Sequence, residues 1–189
     1  MKKRNRWLRC AVCLMACVML LVPPHAWGEE AATQAEAAPA FLQRFAATDL
    51  DGNAIDESIF ADYDLTMINI WATYCQPCIN EMPDLGRLHA DYAERGVQII
   101  GLVADTTNAD GSISDSQVKL AREIVQTTGA AYPHLLPSED LSTILLWQIY
   151  AMPTTIFVNR NGDLVGYAYM GSADYDTWAQ RIEETLALL

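Results

Sequence analysis

Residues 65–83 read LTMINIWATYCQPCINEMP. Leu65–Ala72 is an apolar run of the length of a buried strand, and two cysteines separated by two residues, Cys75 and Cys78, follow directly. Beyond them Ile79, Met82, Leu85, His89 and Ala93 recur every three or four residues, the spacing of a helix. Pro77 falls inside the first turn of that helix, where a missing N–H costs nothing. A strand thus delivers Cys75 to a helix N-terminus, whose free N–H groups and dipole favour a thiolate. Such placement lowers a cysteine pKa from about 8.5 to about 7 or below. The two-residue spacer lets Cys78 reach back and resolve a mixed disulfide, which is the geometry of thiol–disulfide exchange. Other uses of the spacing fit less well. A zinc site wants four ligands, and outside residues 1–28 there is no second cysteine pair, while His89 and His134 lack ligand spacing to this one. A purely structural disulfide across so small a loop gains little closure entropy.

Downstream, Val97–Ala104 (VQIIGLVA) predicts a second buried strand, closed by the polar stretch Asp105–Ser114. Ser114 with Gln117 suggests a capping-box start for a helix carrying Val118, Ala121, Ile124 and Val125, ended by Gly129. His134–Leu136 reads as a short strand, and Ser138 caps a helix with Glu139 and Asp140 in its first turn. Thr154–Asn159 is a strand, Asn161-Gly162 a tight hairpin turn and Leu164–Tyr169 its partner. A last amphipathic helix from about Ala173 buries Trp178, Ile182, Leu186 and Leu189. Upstream, Asp51-Gly52-Asn53 turns between short extended pieces at Phe45–Thr48 and Ala54–Ile55. Strands alternating with helices, then a terminal hairpin, predict an α/β domain with a central mixed sheet flanked by helices. Asp105 and Asp110 are read as a solvated loop in preference to a cation site.

The N-terminus is of another kind. Lys2, Lys3, Arg4, Arg6 and Arg9 precede the apolar run Cys10–Val22, Pro23 and Pro24 break it, and Ala26-Trp27-Gly28 ends it with small residues. Residues 1–28 therefore have the layout of a secretory signal peptide. An uncleaved anchor and lipidation at Cys17, after Leu14-Met15-Ala16, are the alternatives. Residues 29–40 (EEAATQAEAAPA) suit a flexible linker, leaving 41–189 as the folded domain. Dividing the chain there divides its totals. The 189 residues carry 24 acidic and 12 basic side chains, but the five leader charges are all positive, so residues 29–189 hold 24 against 7, a net of −17. So acidic a domain lacks the clustered cations that nucleic-acid binding needs. Of five cysteines, three stand in the leader, and only Cys75 and Cys78 remain in the exported part.

Taken together, NIWATYCQPCINEMPDL (residues 69–85) and the later Ala151-Met152-Pro153-Thr154-Thr155 resemble the thioredoxin superfamily, in particular the exported, membrane-associated TlpA/ResA-like thiol–disulfide oxidoreductases. The resemblance spans Phe41 to Leu189. It implies a thioredoxin-like fold with an N-terminal β extension, and a strand-helix insertion that accounts for Val97–Gly129. It also implies a redox-active Cys75–Cys78 disulfide, a cis-proline at Pro153 facing the pair, a helix-bending Pro83, and Glu81 as a catalytic carboxylate exchanging protons with the thiols. Met152, Pro153, Tyr74 and Trp71 are the expected substrate-binding residues, Trp71 being equally suited to the core. Two positions depart from the family pattern: Tyr74 stands where Trp is common, and Asn69 where cytoplasmic thioredoxins carry a buried Asp.

The expected activity is protein disulfide reduction outside the cytoplasm (the periplasm or the outer face of the cytoplasmic membrane, soluble or membrane-tethered), by a monomer with no cofactor and no metal. Its expected partners are client proteins with disulfides and a membrane electron-transfer protein, since no soluble thiol pool can be assumed there. A dithiol oxidant and a copper-binding module remain as alternatives, because direction depends on reduction potential and two thiolates suit Cu(I). A peroxidase of the peroxiredoxin type is disfavoured by a second cysteine only three residues from the first.

Overall fold

The computed structural model describes residues 41–189. The leader, its alternatives and the linker fall outside the described residues. The described chain opens with a short antiparallel hairpin, β1 (Ala46–Thr48) and β2 (Ala54–Asp56). Its turn is held by the Asp49 carboxylate, which accepts from the backbone N–H groups of Asp51 and Asn53. Then follow β3 (Leu65–Trp71), α1 (Gln76–Tyr92), β4 (Val97–Val103), α2 (Asp115–Thr128), β5 (His134–Leu135) and α3 (Glu139–Ile144). The chain ends with β6 (Thr154–Asn159), β7 (Tyr169–Met170) and α4 (Tyr175–Leu186).

Five strands form one mixed sheet in the order β5-β4-β3-β6-β7. β3 pairs with β4 in parallel, Leu65 opposite Val97 through Trp71 opposite Val103, and β4 is parallel to β5. β3–β6 and β6–β7 are antiparallel. Alternation along the central strands splits the core in two. Leu65, Met67 and Trp71 of β3 join Ile99, Phe157, Leu85, Val118 and Trp178 in one cluster, the face covered by α1, α2 and α4. Ile68 and Ile70 join Ile100, Leu102 and Ile156 in a second, where Phe45, Phe60, Leu141 and Leu145 from the N-terminal segment and α3 close the other face. Each Leu or Ile buried in this way contributes about 1.5–3 kcal/mol.

Four details differ from the sequence reading. The buried face of α1 is Cys78, Glu81, Met82, Leu85, Leu88 and Tyr92, with Ala93 exposed, so the helix is rotated from the predicted Ile79–His89–Ala93 stripe. Burial of the second cysteine and of a carboxylate sets that rotation, which a count of apolar residues alone cannot register. Ser114 occupies the N-cap of α2 but makes no side-chain capping bond, its hydroxyl pairing with that of Ser116. The partner of β6 is broken: Val158 bridges Leu164, Gly166 adopts φ +70°, and regular pairing resumes only at Tyr169–Met170. Finally, α4 starts at Tyr175 behind an Asp174 cap and buries Thr185, while Leu189 is exposed.

Candidate active site

Cys75 is the N-cap of α1, and Pro77 lies in the first turn. Its backbone N–H donates to Ala72 O at 3.0 Å, and its Sγ accepts from the backbone N–H of Cys78 at 3.3 Å. The two cysteines are joined by a disulfide, with Cα atoms 5.3 Å apart. Cys75 is 7% exposed and Cys78 is fully buried, so only the first sulfur is presented to a partner. The Met152–Pro153 peptide bond is cis. An open cleft of about 320 Å³ is lined by Tyr74, Cys75, Ile149, Tyr150, Ala151 and Met152. Tyr74 and Tyr150 are largely exposed, and no charged side chain lines the cleft. Pro153, immediately before β6, is held by its carbonyl accepting from Gly171 N–H at 2.8 Å.

Of the two placements expected for Trp71, substrate contact or core, it takes the core, where it is fully buried. Its indole N–H donates to Nδ1 of His134 at 3.2 Å. His134 Nε2 in turn faces Ala130 O at 3.1 Å, which fixes a neutral imidazole with its proton on Nε2. Burial pushes the His134 pKa down to about 4.

Glu81 is 3% exposed, not a solvated helix-surface glutamate. Its Oε1 accepts from Asn69 Nδ2 at 2.9 Å, and its Oε2 accepts from Trp178 Nε1 at 3.0 Å and Ala173 N–H at 3.1 Å. Burial holds this carboxyl above the usual carboxylate range, against those three donors and the Arg181 guanidinium, which pull it down. A buried carboxyl with a raised pKa, one helical turn beyond Cys78, is suited to taking and returning a proton.

Two residues of this neighbourhood escaped the sequence reading. Asp105, read as part of a solvated loop, accepts from Thr73 N–H at 3.0 and 3.1 Å and from Thr73 Oγ1 at 2.5 Å. It ties the end of β4 to the turn that presents Cys75. The available signal was register: with Trp71 opposite Val103, residue 73 falls opposite residue 105. Trp178 was read as core only, and its indole N–H is the group a hydrophobic count ignores. Among the described residues no three His, Cys, Asp or Glu side chains gather as a metal site.

The profile of the AhpC/TSA family matches residues 35–166. The thiol-disulfide oxidoreductase ResA of Halalkalibacterium halodurans is 29% identical over 145 residues, covering 77% of this chain and 73% of that protein. ResA of Oceanobacillus iheyensis is 28% identical over 168 residues, 86% of this chain and 81% of that protein. Among solved structures, a thioredoxin-family thiol:disulfide interchange protein from Chlorobium tepidum TLS superimposes with a TM-score of 0.65 at 20% identity, over 80% of this chain and 99% of that one. StoA from Bacillus subtilis gives 0.57 at 17% identity, over 75% and 98%. The thioredoxin-like fold is thereby shown.

Proposed function

Since the chain belongs to the AhpC/TSA family and its similar relatives are thiol-disulfide oxidoreductases, we propose that it reduces disulfides of client proteins outside the cytoplasm. The observation that carries this reading is the Cys75–Cys78 disulfide at the start of α1, its Cys75 sulfur bonded to a helix N–H and lining an uncharged cleft beside the cis proline. The leader of residues 1–28 supports the location.

In the reduced protein the Cys75 thiolate, held by the Cys78 N–H and the helix dipole, attacks one sulfur of a client disulfide. A Cys75–client disulfide forms and the first client thiolate leaves. An extended client segment is held along Met152-Pro153, with Tyr74 and Tyr150 flanking it. Cys78 then loses its proton to the Glu81 carboxylate and attacks Cys75 Sγ. The Cys75–Cys78 disulfide forms, the second client thiolate leaves, and the client has gained two electrons. Return to the dithiol requires an equivalent donation from a membrane electron-transfer partner.

The test is a Cys78→Ser variant expressed in its native exported setting. It should accumulate Cys75-linked mixed disulfides that reductant releases, and Cys75→Ser should accumulate none. A potential well below about −200 mV is expected for a reductant, and one above about −150 mV would reverse the assigned direction. Absence of any mixed disulfide sinks the exchange mechanism itself.

A further inference from the structure

The two oxygens of Glu81 are not equivalent. Oε2 faces Trp178 Nε1 and Ala173 N–H, two groups that donate and cannot accept. A proton arriving on Glu81 therefore has its place on Oε1, and the group facing Oε1 at 2.9 Å is the side-chain amide of Asn69. Asn69 is fully buried. Its Nδ2 spends both hydrogens, on Glu81 Oε1 and on Thr155 Oγ1 at 3.1 Å, while its Oδ1 is buried without a hydrogen-bond partner. That arrangement serves an ionised Glu81. It fails a protonated one, whose O–H would meet an N–H.

A half-turn of the amide resolves the conflict, because its nitrogen and oxygen ends are nearly the same size. Oδ1 would then lie where Nδ2 was, accepting from the protonated Oε1 and from the Thr155 hydroxyl, which donates as readily as it accepts. Both orientations make two hydrogen bonds, but turning moves the unpaired end from Oδ1 to the two Nδ2 hydrogens, so the turn is driven by the bond that the protonated acid gains. We propose that Asn69 is a positioning residue whose amide turns over with the protonation of Glu81, donating to the carboxylate and accepting from the acid. The buried carboxyl thus keeps a partner at Oε1 throughout the proton cycle. The aspartate that cytoplasmic thioredoxins carry here would only accept when ionised, and an apolar residue would do neither.

The inference rests on the reading of Glu81 as proton acceptor for Cys78. The other titratable or charged groups acting on Glu81 are few. Arg181 of α4 stacks on Trp178 with its guanidinium carbon 4.5 Å from the ring centroid. Tyr132, before β5, is raised by burial and by the Glu81 charge. Cys78 and Asp84 lie one turn to either side on α1, Asp84 accepting from Tyr175 N–H. β3 and β6 present only the neutral Asn69 and Thr155.

The first measurement uses the wild-type protein. Through the titration of the Glu81 carboxyl carbon followed by NMR, the Asn69 side-chain NH2 resonances should shift with the same midpoint. In Glu81→Gln, whose amide mimics the protonated acid, they should be insensitive to pH. Asn69 resonances that stay flat while Glu81 titrates overturn the proposal and leave the role of Glu81 intact. The second measurement is kinetic and needs no client. Reduced protein is mixed with an aromatic disulfide reagent, and release of the coloured thiolate from Cys75 by Cys78 is timed against pH. Asn69→Ala should slow release about ten-fold, the scale of one lost hydrogen bond to a charged group. Asn69→Asp should move the midpoint up by about one unit or more, through a like charge beside Glu81. A variant that only lowers Tm and leaves the profile in place assigns Asn69 a structural role and overturns the proposal. Glu81→Gln releasing thiolate as fast as wild type overturns the proton-acceptor reading, and the role of Asn69 with it.

Discussion

Cys75 is placed by a carboxylate from the turn after β4. Asp105 accepts three hydrogen bonds from Thr73, two residues before the cysteine, and Thr73 is itself 8% exposed. Removing the carboxylate leaves a nearly buried N–H and hydroxyl without partners, which costs about 1–3 kcal/mol. Asp105→Ala should therefore lower stability on that scale and slow attack by Cys75 on a disulfide reagent. Asp105→Asn keeps one acceptor oxygen and should fall between. Denaturant titration and stopped-flow kinetics on both variants check this, and an unchanged attack rate would confine Asp105 to stability. At the same scale lies the contrast between Tyr74 and Trp71, three residues apart. One is 75% exposed beside the disulfide, the other fully buried with its indole N–H satisfied by His134.

At the scale of elements, β4 must pass close to that buried pair. A Cβ at Gly101 would lie 2.2 Å from His134 Nδ1 and 3.0 Å from Trp71 Nε1, and His134 sits directly opposite on β5. Gly101→Ala should thus destabilise by about 1–3 kcal/mol, the cost of overpacking a filled core, read as a lowered Tm. A Tm equal to wild type would mean that β5 yields without cost. The ease with which elements were read follows the same physics. β3 and β4 were plain in the sequence because central strands, buried on both faces, appear as unbroken apolar runs. The cysteine pair was plain because strand, turn and helix start are contiguous in the chain. The short β7 was overextended because a glycine at positive φ interrupts its pairing and two residues carry no periodicity. Asp105, Asn69 and Trp178 were under-read because each acts through a polar atom whose partner lies on another element. Such contacts are set by sheet register and helix docking, which spacing along one segment does not encode.

For the whole molecule, the consequence of burying His134 is acid sensitivity. Its pKa falls from the ordinary 6.5 to about 4 in the folded state, so between those values the unfolded chain binds a proton that the folded one does not. The stabilisation is complete above about pH 6.5 and is lost as pH falls towards 4, amounting to something on the order of 3 kcal/mol. Glu81 acts with the opposite sign: its raised pKa lets the folded state bind the extra proton, so its contribution falls as pH rises above the usual carboxylate range. Denaturant titrations at stepped pH should show the acid-side loss, and His134→Gln should flatten it. An undiminished loss in that variant would assign acid unfolding to His89, also held down by burial, and to the carboxylates instead.

The Glu81 network also has a history in time. Asn69 comes from β3, Thr155 from β6, and the donors to Oε2 from residue 173 and from α4, the last helix of the chain. A ribosome releases these parts in order, the two cysteines long before the final indole. During synthesis the pair accordingly exists before all the groups that hold Glu81 are present. A nascent or truncated copy thus holds both cysteines without the indole and backbone donors that fix the Glu81 carboxylate.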